Sequence, residues 1–405
     1  MAVSESTYFL QALCDEAATL GSPRWRPMLG YVARLHERCI HPPCQWLSHP
    51  WEEIGPGYCY GPAFGHWDLI HAVLDVTPSE PEHARIQLLN YFANQLDNGM
   101  IPGSLWLNGS PRVWDPNAGH PPVWVVAVDQ VAPHTDIAFL QQSYVVLQQQ
   151  IRWFEKHRQA VDGGFFYQDV VDKTWESGID DGVRFINLPG EPMSCVDATS
   201  HMYLLYETSA RWATELGHDA ASHQQQAERL RDLIQNLMFS KQTGFFHDSW
   251  SVSDSRNRCL SHEGIWPIVV GAATNEQAMS VIHDHLLNPK RFFAKHPITS
   301  LAMSDARFEM RMWRGPAWNS ITYWAALACQ RYQQFQAAAQ LLEAALDQTS
   351  LQFDLTQTIW EFYHPHGQSP QTLERKPASP YNAPCSDYLG HNPMLAMARL
   401  FDELT

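Results

Sequence analysis

The 405-residue sequence predicts an all-α fold, a closed ring of helical hairpins of the (α/α)6 toroid type, on three observations. Helical periodicity recurs in about a dozen segments. Short turns and long aromatic loops alternate between those segments, as they must when helices pair into hairpins whose long connections gather at one end. No alternating strand pattern extends beyond a few loop residues, and no Gly/Ser tract, charge block or low-complexity segment interrupts the series. Residues 1–405 therefore read as a single domain.

Taken in order, apolar periodicity places helices at residues 6–20 and 27–39. Residues 41–65 contain Pro-Pro, His-Pro, Gly-Pro-Gly and Gly-Pro and cannot be helix interior. Loops of that length usually have a function. This one carries Trp46, Trp51, Glu52, Glu53, Tyr58 and Tyr60, then runs through Gly65, His66, Trp67 and Asp68 into a helix over 69–76. The next helix spans 81–97 and stops at Asp97-Asn98-Gly99. A second aromatic loop, 99–124, holds Trp106, Trp114 and Trp124. A long helix over 134–157 follows through Ile137, Leu140, Tyr144, Leu147, Ile151 and Phe154. Further helices are expected at 193–214, 219–238, 264–271 and 275–286, then, after a loop over 290–318, at 319–333, 335–348, 351–360 and 388–402. Residues 242–247, Gln-Thr-Gly-Phe-Phe-His, echo residues 162–167, Asp-Gly-Gly-Phe-Phe-Tyr. Each follows a helical pair, so the chain repeats itself with a period of about eighty residues.

Composition narrows the function. Apolar residues make up 45% and Asp, Glu, Lys and Arg only 17%, which implies a large core. Many of the 16 Trp, 14 Tyr and 18 Phe sit beside Gly, Pro or Asp in loops, where they suit the lining of a pocket as well as the core. Twenty-seven basic against 43 acidic residues give a net charge of −16, which argues against nucleic acid and anionic membranes as partners. A small neutral or weakly anionic ligand fits better. The sequence leaves the oligomeric state open. No apolar run is long enough to cross a bilayer, and the first residues lack a basic, apolar leader, so a cytoplasmic location is expected. The eight cysteines form no Cys-x-x-Cys pair and read as buried free thiols, the alternative being a disulfide from Cys39 or Cys44 to Cys59 in an exported protein. No His-x-x-x-His or His-Glu-x-x-His pattern occurs, so neither a metal nor a cofactor is expected.

Two stretches carry candidate chemistry. Residues 175–180, Trp-Glu-Ser-Gly-Ile-Asp, set Glu176 and Asp180 around a Ser-Gly turn beside an indole, and residues 359–365 set Glu361 among aromatics. Inverting cleavage of a glycosidic bond needs a protonated carboxyl for the leaving oxygen and an ionised one for the attacking water, about 6.5–9.5 Å apart. Asp180 and Glu361 meet the demand for residue type and for placement on separate loops. Read without function, Asp180 is a turn residue and Glu361 a solvated helix end. Glu176 and Asp181 are expected to orient neighbours, and Glu263 is a weaker rival base. Asp68 is either a first-turn residue favoured by the helix dipole or, beside Trp67, a holder of sugar hydroxyls.

Trp67-Asp68, Gly99 to Gly103, Pro121 to Trp124, Trp175 to Asp180, Trp313 to Trp318 and Glu361 to Pro365 together resemble the successive motifs of glycoside hydrolase family 63. The closer likeness is to its compact bacterial branch, the mannosylglycerate and glucosylglycerate hydrolases. The resemblance implies an (α/α)6 fold and inverting action on an α-glycosidic bond. It implies Asp180 as general acid, Glu361 as general base, and Trp67, Asp68, Trp124, Trp175, Trp313 and Trp318 around the terminal sugar. Tyr58, Tyr60, Glu176, Arg184 and Arg314 complete the expected substrate-binding set. The chain departs from the family pattern at Asp181-Gly182-Val183-Arg184, at His120 before its Pro-Pro, and at Met312. Those changes are expected on the aglycone side, where Arg184 either faces an anionic aglycone or is an exposed loop residue. A pocket closed by loops 41–65 and 99–124 favours exo-action on a small α-glucoside or α-mannoside. The rivals are a sugar 2-epimerase or isomerase using His201, His247, His262 or His391, and a catalytically silent sugar-binding protein.

Overall fold

Segments apolar on every side form the inner wall of the fold, and segments with one apolar face form the outer wall. The computed structural model describes residues 9–108, 112–113, 115–172 and 175–405. Trp114 and the start of the expected first helix lie outside the described residues. The helices are α1 (Gln11–Ala17), α2 (Arg26–Arg38), α3 (His66–Val76), α4 (Pro81–Phe92), α5 (Trp124–Val131), α6 (Ile137–His157), α7 (Val196–Glu215), α8 (Ala221–Leu233), α9 (Trp266–Val269), α10 (Asn275–Met279), α11 (Asn319–Arg331), α12 (Phe335–Thr356) and α13 (Met394–Leu404). Helix α3 is buried at every position, as are all four residues of α9. They belong to an inner ring with α5, α7, α11 and α13, while α2, α4, α6, α8, α10 and α12 stand outside. Helix α13 packs on α3 and α2, so the last hairpin closes on the first. The fold is an (α/α)6 toroid.

Several boundaries differ from the expected ones for local reasons. Helix α4 ends at Phe92, because residues 94–100 form a turn closed by Leu96 N–H on Met100 O (2.8 Å). The segments expected at 335–348 and 351–360 are one helix, α12. Thr349 does not break it, since its hydroxyl bonds back to Ala345 O at 2.8 Å. The helix stops only where Gln357 takes a left-handed conformation (φ 57°). Helices α8 and α10 each continue into a π-helical turn, Ile234–Met238 and Ser280–Leu286. The last helix starts at Met394, not 388, leaving residues 388–392 free to enter the site.

Short antiparallel strands stitch the long loops: β1 (Ile40–His41) with β2 (Trp51–Glu52), β3 (Ala63–Gly65) with β4 (Ser104–Trp106) and β5 (Arg112–Val113), and β6 (Phe239–Ser240) with β7 (Phe245–Phe246). Register in the middle sheet pairs Ala63 with Trp106 and Leu105 with Val113. The repeated Gly-Phe-Phe motif has a structural counterpart. Phe245 pairs back to Ser240, and Phe165 pairs back to Gln159, each just after an outer helix. One continuous apolar cluster runs from Leu10 to Leu400. Cys39, Cys195, Cys329 and Cys385 are buried, but Cys44 is exposed. No described helix is long and apolar enough to cross a membrane.

Candidate active site

The N-terminal ends of inner helices point to one end of the ring, and the loops that precede them build a cavity there of about 780 Å³, open mouth included. That size is in the range of small-molecule sites. Trp67 and Asp68 come from the first turn of α3, Asp197 and His201 from the first turns of α7, Trp266 from α9 and Ile321 from α11. Loops supply Tyr58, His120, residues 177–180, His262, residues 312, 313 and 318, Glu361, Arg375, Tyr388 and His391. Asp180 and Glu361 thus line the same cavity.

Each carboxylate is fixed by its own device. Asp169 accepts the backbone N–H groups of Glu176 (2.5 Å) and Ser177 (2.9 Å) and also the Ser177 hydroxyl, which ties down the turn that ends at Asp180. Backbone strain is concentrated here: Trp175 and Asp181, on either side of the turn, both have φ near +60°. Asp180 Oδ2 meets Lys376 Nζ at 2.6 Å. Glu361, 2% exposed, accepts Arg375 Nε on both oxygens (2.8 and 3.0 Å) and Cys385 N–H on one (3.1 Å).

Asp68 sits under Tyr388, whose hydroxyl donates to it at 2.7 Å. Gly390 passes so close that a Cβ there would overlap the Asp68 carboxylate. Burial pushes the Asp68 carboxyl up to about 6. Trp313 and Trp318 stack face to face, with ring centres 3.8 Å apart and planes within 2° of parallel. The Trp318 indole N–H donates to Met312 O (3.2 Å), whereas Trp313 Nε1 is buried in the cavity wall with no protein partner. His201 is in the same condition: Nδ1 meets the Tyr167 hydroxyl at 2.7 Å, and Nε2 has no partner. Flat aromatic faces, buried donors and carboxylate acceptors are what a sugar ring with its hydroxyls requires.

The Mannosylglycerate hydrolase MGH1-like glycoside hydrolase domain matches this sequence over residues 62–381. The chain belongs to that family. This glycoside hydrolase also resembles solved structures at low identity. The GH63 mannosylglycerate hydrolase from Thermus thermophilus, in complex with Tris and D-glycerate, is 18% identical, with a TM-score of 0.70 over 92% of this chain and 99% of that one. The same enzyme in complex with glucose gives 16% and 0.69, over 92% and 98%. Neutral trehalase Nth1 from Saccharomyces cerevisiae gives 14% and 0.64, over 88% and 76%.

Within this glycoside hydrolase, Asp180, Glu361, Tyr58, Trp67, Asp68, Trp313 and Trp318 line the cavity as the sequence led one to expect. Six other residues do not. Trp124 is fully buried between Phe92 and Trp212, with its indole N–H on Gln150 (2.7 Å), because the ring of this first α5 residue turns toward the outer layer. Arg184 is neither exposed nor open to an aglycone. It is 5% exposed, holding Asp197 (2.8 and 2.9 Å) and Asp248 (2.5 and 3.0 Å) behind the cavity wall. Glu176 is held by Arg158 Nε (2.7 Å) and Gln168 N–H (2.6 Å), away from the cavity. Trp175 and Arg314 line a neighbouring groove, where Arg314 bonds Asp181. Tyr60 lies behind Arg375 and Lys376, its ring 5.4 and 5.5 Å from their charges.

The sequence reading missed Arg375, Lys376, Tyr388, Asp169, Asp197 and Trp266. Only the run Arg375-Lys376, following the Glu361 motif in a chain poor in basic residues, offered a signal. Cys195, Asp197 and Asp248 could hold a metal by spacing alone. The Arg184 guanidinium already bridges the two carboxylates, so the set does not fit a second cation.

Proposed function

We propose that this protein is an inverting, exo-acting α-glycosidase for a small α-glucoside or α-mannoside, with the whole chain acting as one catalytic domain. Asp180 is the general acid and Glu361 the general base. The observation that carries the reading is that these two carboxylates, from loops far apart in sequence, line one cavity that also holds the stacked Trp313 and Trp318. Arg375 gives the Glu361 carboxylate a counter-charge, which suits the anionic form a base needs, while Asp180 is at the more open side, where a leaving group can meet it. The family's glycerate-bearing relatives support a short aglycone.

An epimerase mechanism has one point in its favour, since His201, His262 and His391 line the same cavity. His247 does not; it bonds Thr243 and Cys259 O. Burial drives His201 down to about 3 and His391 far below its ordinary value, which weighs against either of them as the base. A silent sugar-binding protein would have no need to keep both carboxylates.

Proton NMR of hydrolysis tests the proposal, with α-glucosyl- and α-mannosylglycerate, glucosylglycerol and α-linked disaccharides as substrates. The β-anomer should appear first, and Asp180→Asn and Glu361→Gln should each lower kcat by about 10²–10⁴-fold. An α-anomer first product, or an Asp180→Asn variant with near-normal turnover, would refute it.

A further inference from the structure

Two cysteines outside the cavity lining touch each other. Cys59 packs against the small apolar cluster that buries Cys385, and the two thiols share a hydrogen bond. They belong to different loops, and those loops meet through their backbones. A Cβ on Gly55 would overlap the Asp387 carbonyl oxygen, and one on Gly57 that of Ser386. Ile54 O accepts the Leu389 N–H at 2.9 Å. Glycine lets the loops close to backbone contact, and that contact sets the thiols face to face.

The pair sits on the support of Glu361. Cys385 N–H donates to Glu361 Oε2 (3.1 Å), and Cys385 O accepts the Glu361 N–H (2.8 Å), so the carboxylate moves with residue 385. Cys59 follows Tyr58, which lines the cavity, and precedes Tyr60, whose ring centre is 5.4 Å from the Arg375 charge. The two thiols are unlike. Cys385 is buried, whereas Cys59 is only half-buried and partly open to solvent. The hydrogen bond from Cys385 and the Arg375 charge outweigh burial and hold the Cys59 thiol below its ordinary value. That favours the thiolate, the form that attacks sulfur.

Building on the assignment of Glu361 as base, we propose that Cys59 and Cys385 form a modification site, which a low-molecular-weight disulfide oxidises to an intramolecular disulfide that switches hydrolysis off. Cys59, its proton lost to solvent, attacks one sulfur of the reagent, forming a mixed disulfide and releasing the other half as a thiolate. Cys385 then gives up its proton, its sulfur attacks that of Cys59, and the second half leaves. Two protein thiols lose two electrons and two protons, and the reagent takes them up as two small thiols. An S–S bond of about 2.05 Å is far shorter than a hydrogen bond between thiols. Because the loops are already in backbone contact, closing it shifts the segment that bears Cys385, and Glu361 shifts with it. Misplacement of a reacting group by about 1 Å costs on the order of 100-fold.

The test incubates the full chain with oxidised glutathione, removes the reagent, and reads the peptide map and the hydrolysis of the best α-glycoside. Chymotrypsin cuts after Tyr58, Tyr60, Tyr381 and Tyr388, which separates Cys59 and Cys385 from every other cysteine. Treated wild type should yield peptide 59–60 linked to peptide 382–388, and kcat should fall about 10–100-fold and return with dithiothreitol. Cys59→Ser should keep kcat within about twofold untreated and lose none on treatment. Cys385→Ser should stop at the glutathione adduct on Cys59. Thermal melts of both variants separate this from misfolding. Absence of the linked peptide in wild type, a linked peptide with unchanged kcat, or equal inactivation of Cys59→Ser overturns the proposal while leaving the hydrolase intact. Wild-type protein inert toward every α-glycoside would bring down the hydrolase reading and the switch with it, whether or not the linked peptide forms.

Discussion

Asp68 works against the stability of the fold that holds it. Burial raises its carboxyl from the ordinary 3.8 to about 6. The unfolded chain therefore loses the proton first, and the folded state is penalised as pH rises from 3.8 through 6. Two pKa units correspond to about 3 kcal/mol at most. Asp68→Asn keeps an acceptor for the Tyr388 hydroxyl but cannot ionise. Urea unfolding should show it more stable than wild type by about 1–3 kcal/mol at pH 7 and no more stable near pH 3.5, while kcat/KM falls at least about tenfold. Equal stability at pH 7 would mean that the buried charge costs nothing. The sequence marked Asp68 because it stands beside Trp67 at the mouth of an apolar helix, where it could hold sugar hydroxyls as well as serve the helix dipole. It marked Trp124 wrongly, because that motif is as aromatic as the others but its ring faces Phe92 and Trp212. It did not find Asp169, which acts on the backbone of Glu176 and Ser177 through hydrogen bonds that leave no pattern in residue spacing.

At the scale of elements, the loop that carries Tyr58 is rooted by a buried charge network. His36 of α2 lies 2.5 Å from Glu52 of β2 and 3.2 Å from Asp75 of α3, and Glu52 also meets His83 of α4 at 2.9 Å. Burial alone would lower the His36 value, but the two carboxylates outweigh it and raise it to about 10. Burial would raise Glu52, and the histidines bring it to about 2. The His36 contribution is thus complete below 6.5 and lost as pH climbs through 10. That of Glu52 is present above 4.5 and lost as pH falls through 2. His36→Ala leaves two buried carboxylates short of a cation and should cost about 3–5 kcal/mol at pH 7 in urea unfolding. A loss under about 1 kcal/mol would show the network to be dispensable. None of this was legible in the sequence, where Glu52 looked like a loop acid beside Trp51. The existence of the longer helices was legible, because periodicity over ten or more residues reports burial directly, whereas the eight-residue α5 (Trp124–Val131) was not expected. The ends were not, since Phe92 and Gln357 stop their helices through turn bonds and a left-handed residue.

For the molecule as a whole, the ring has no free end. Helix α13 wedges between α2 and α3, with Met394, Leu395 and Met397 fully buried. Asp75 takes the Ala396 N–H at 2.7 Å, the same carboxylate that pairs with His36. Arg399 joins Glu16 of α1 to the Leu74 carbonyl. The first and last hairpins thus share one core and one charge network, and the cavity mouth depends on that seam. Tyr388 and His391, from the segment just before α13, meet Trp67 and Asp68 across it. Residues in a last helix are often tolerant of change because few contacts hold them. Here the reverse is expected. Met397→Ala should destabilise by about 2–5 kcal/mol, as deletion of a fully buried large side chain does elsewhere in a core. Removal of residues 394–405 should give protein that fails to form a compact monomer by size-exclusion chromatography. A truncated chain that stays folded and keeps its activity would mean that the seam between first and last hairpins does not close the ring.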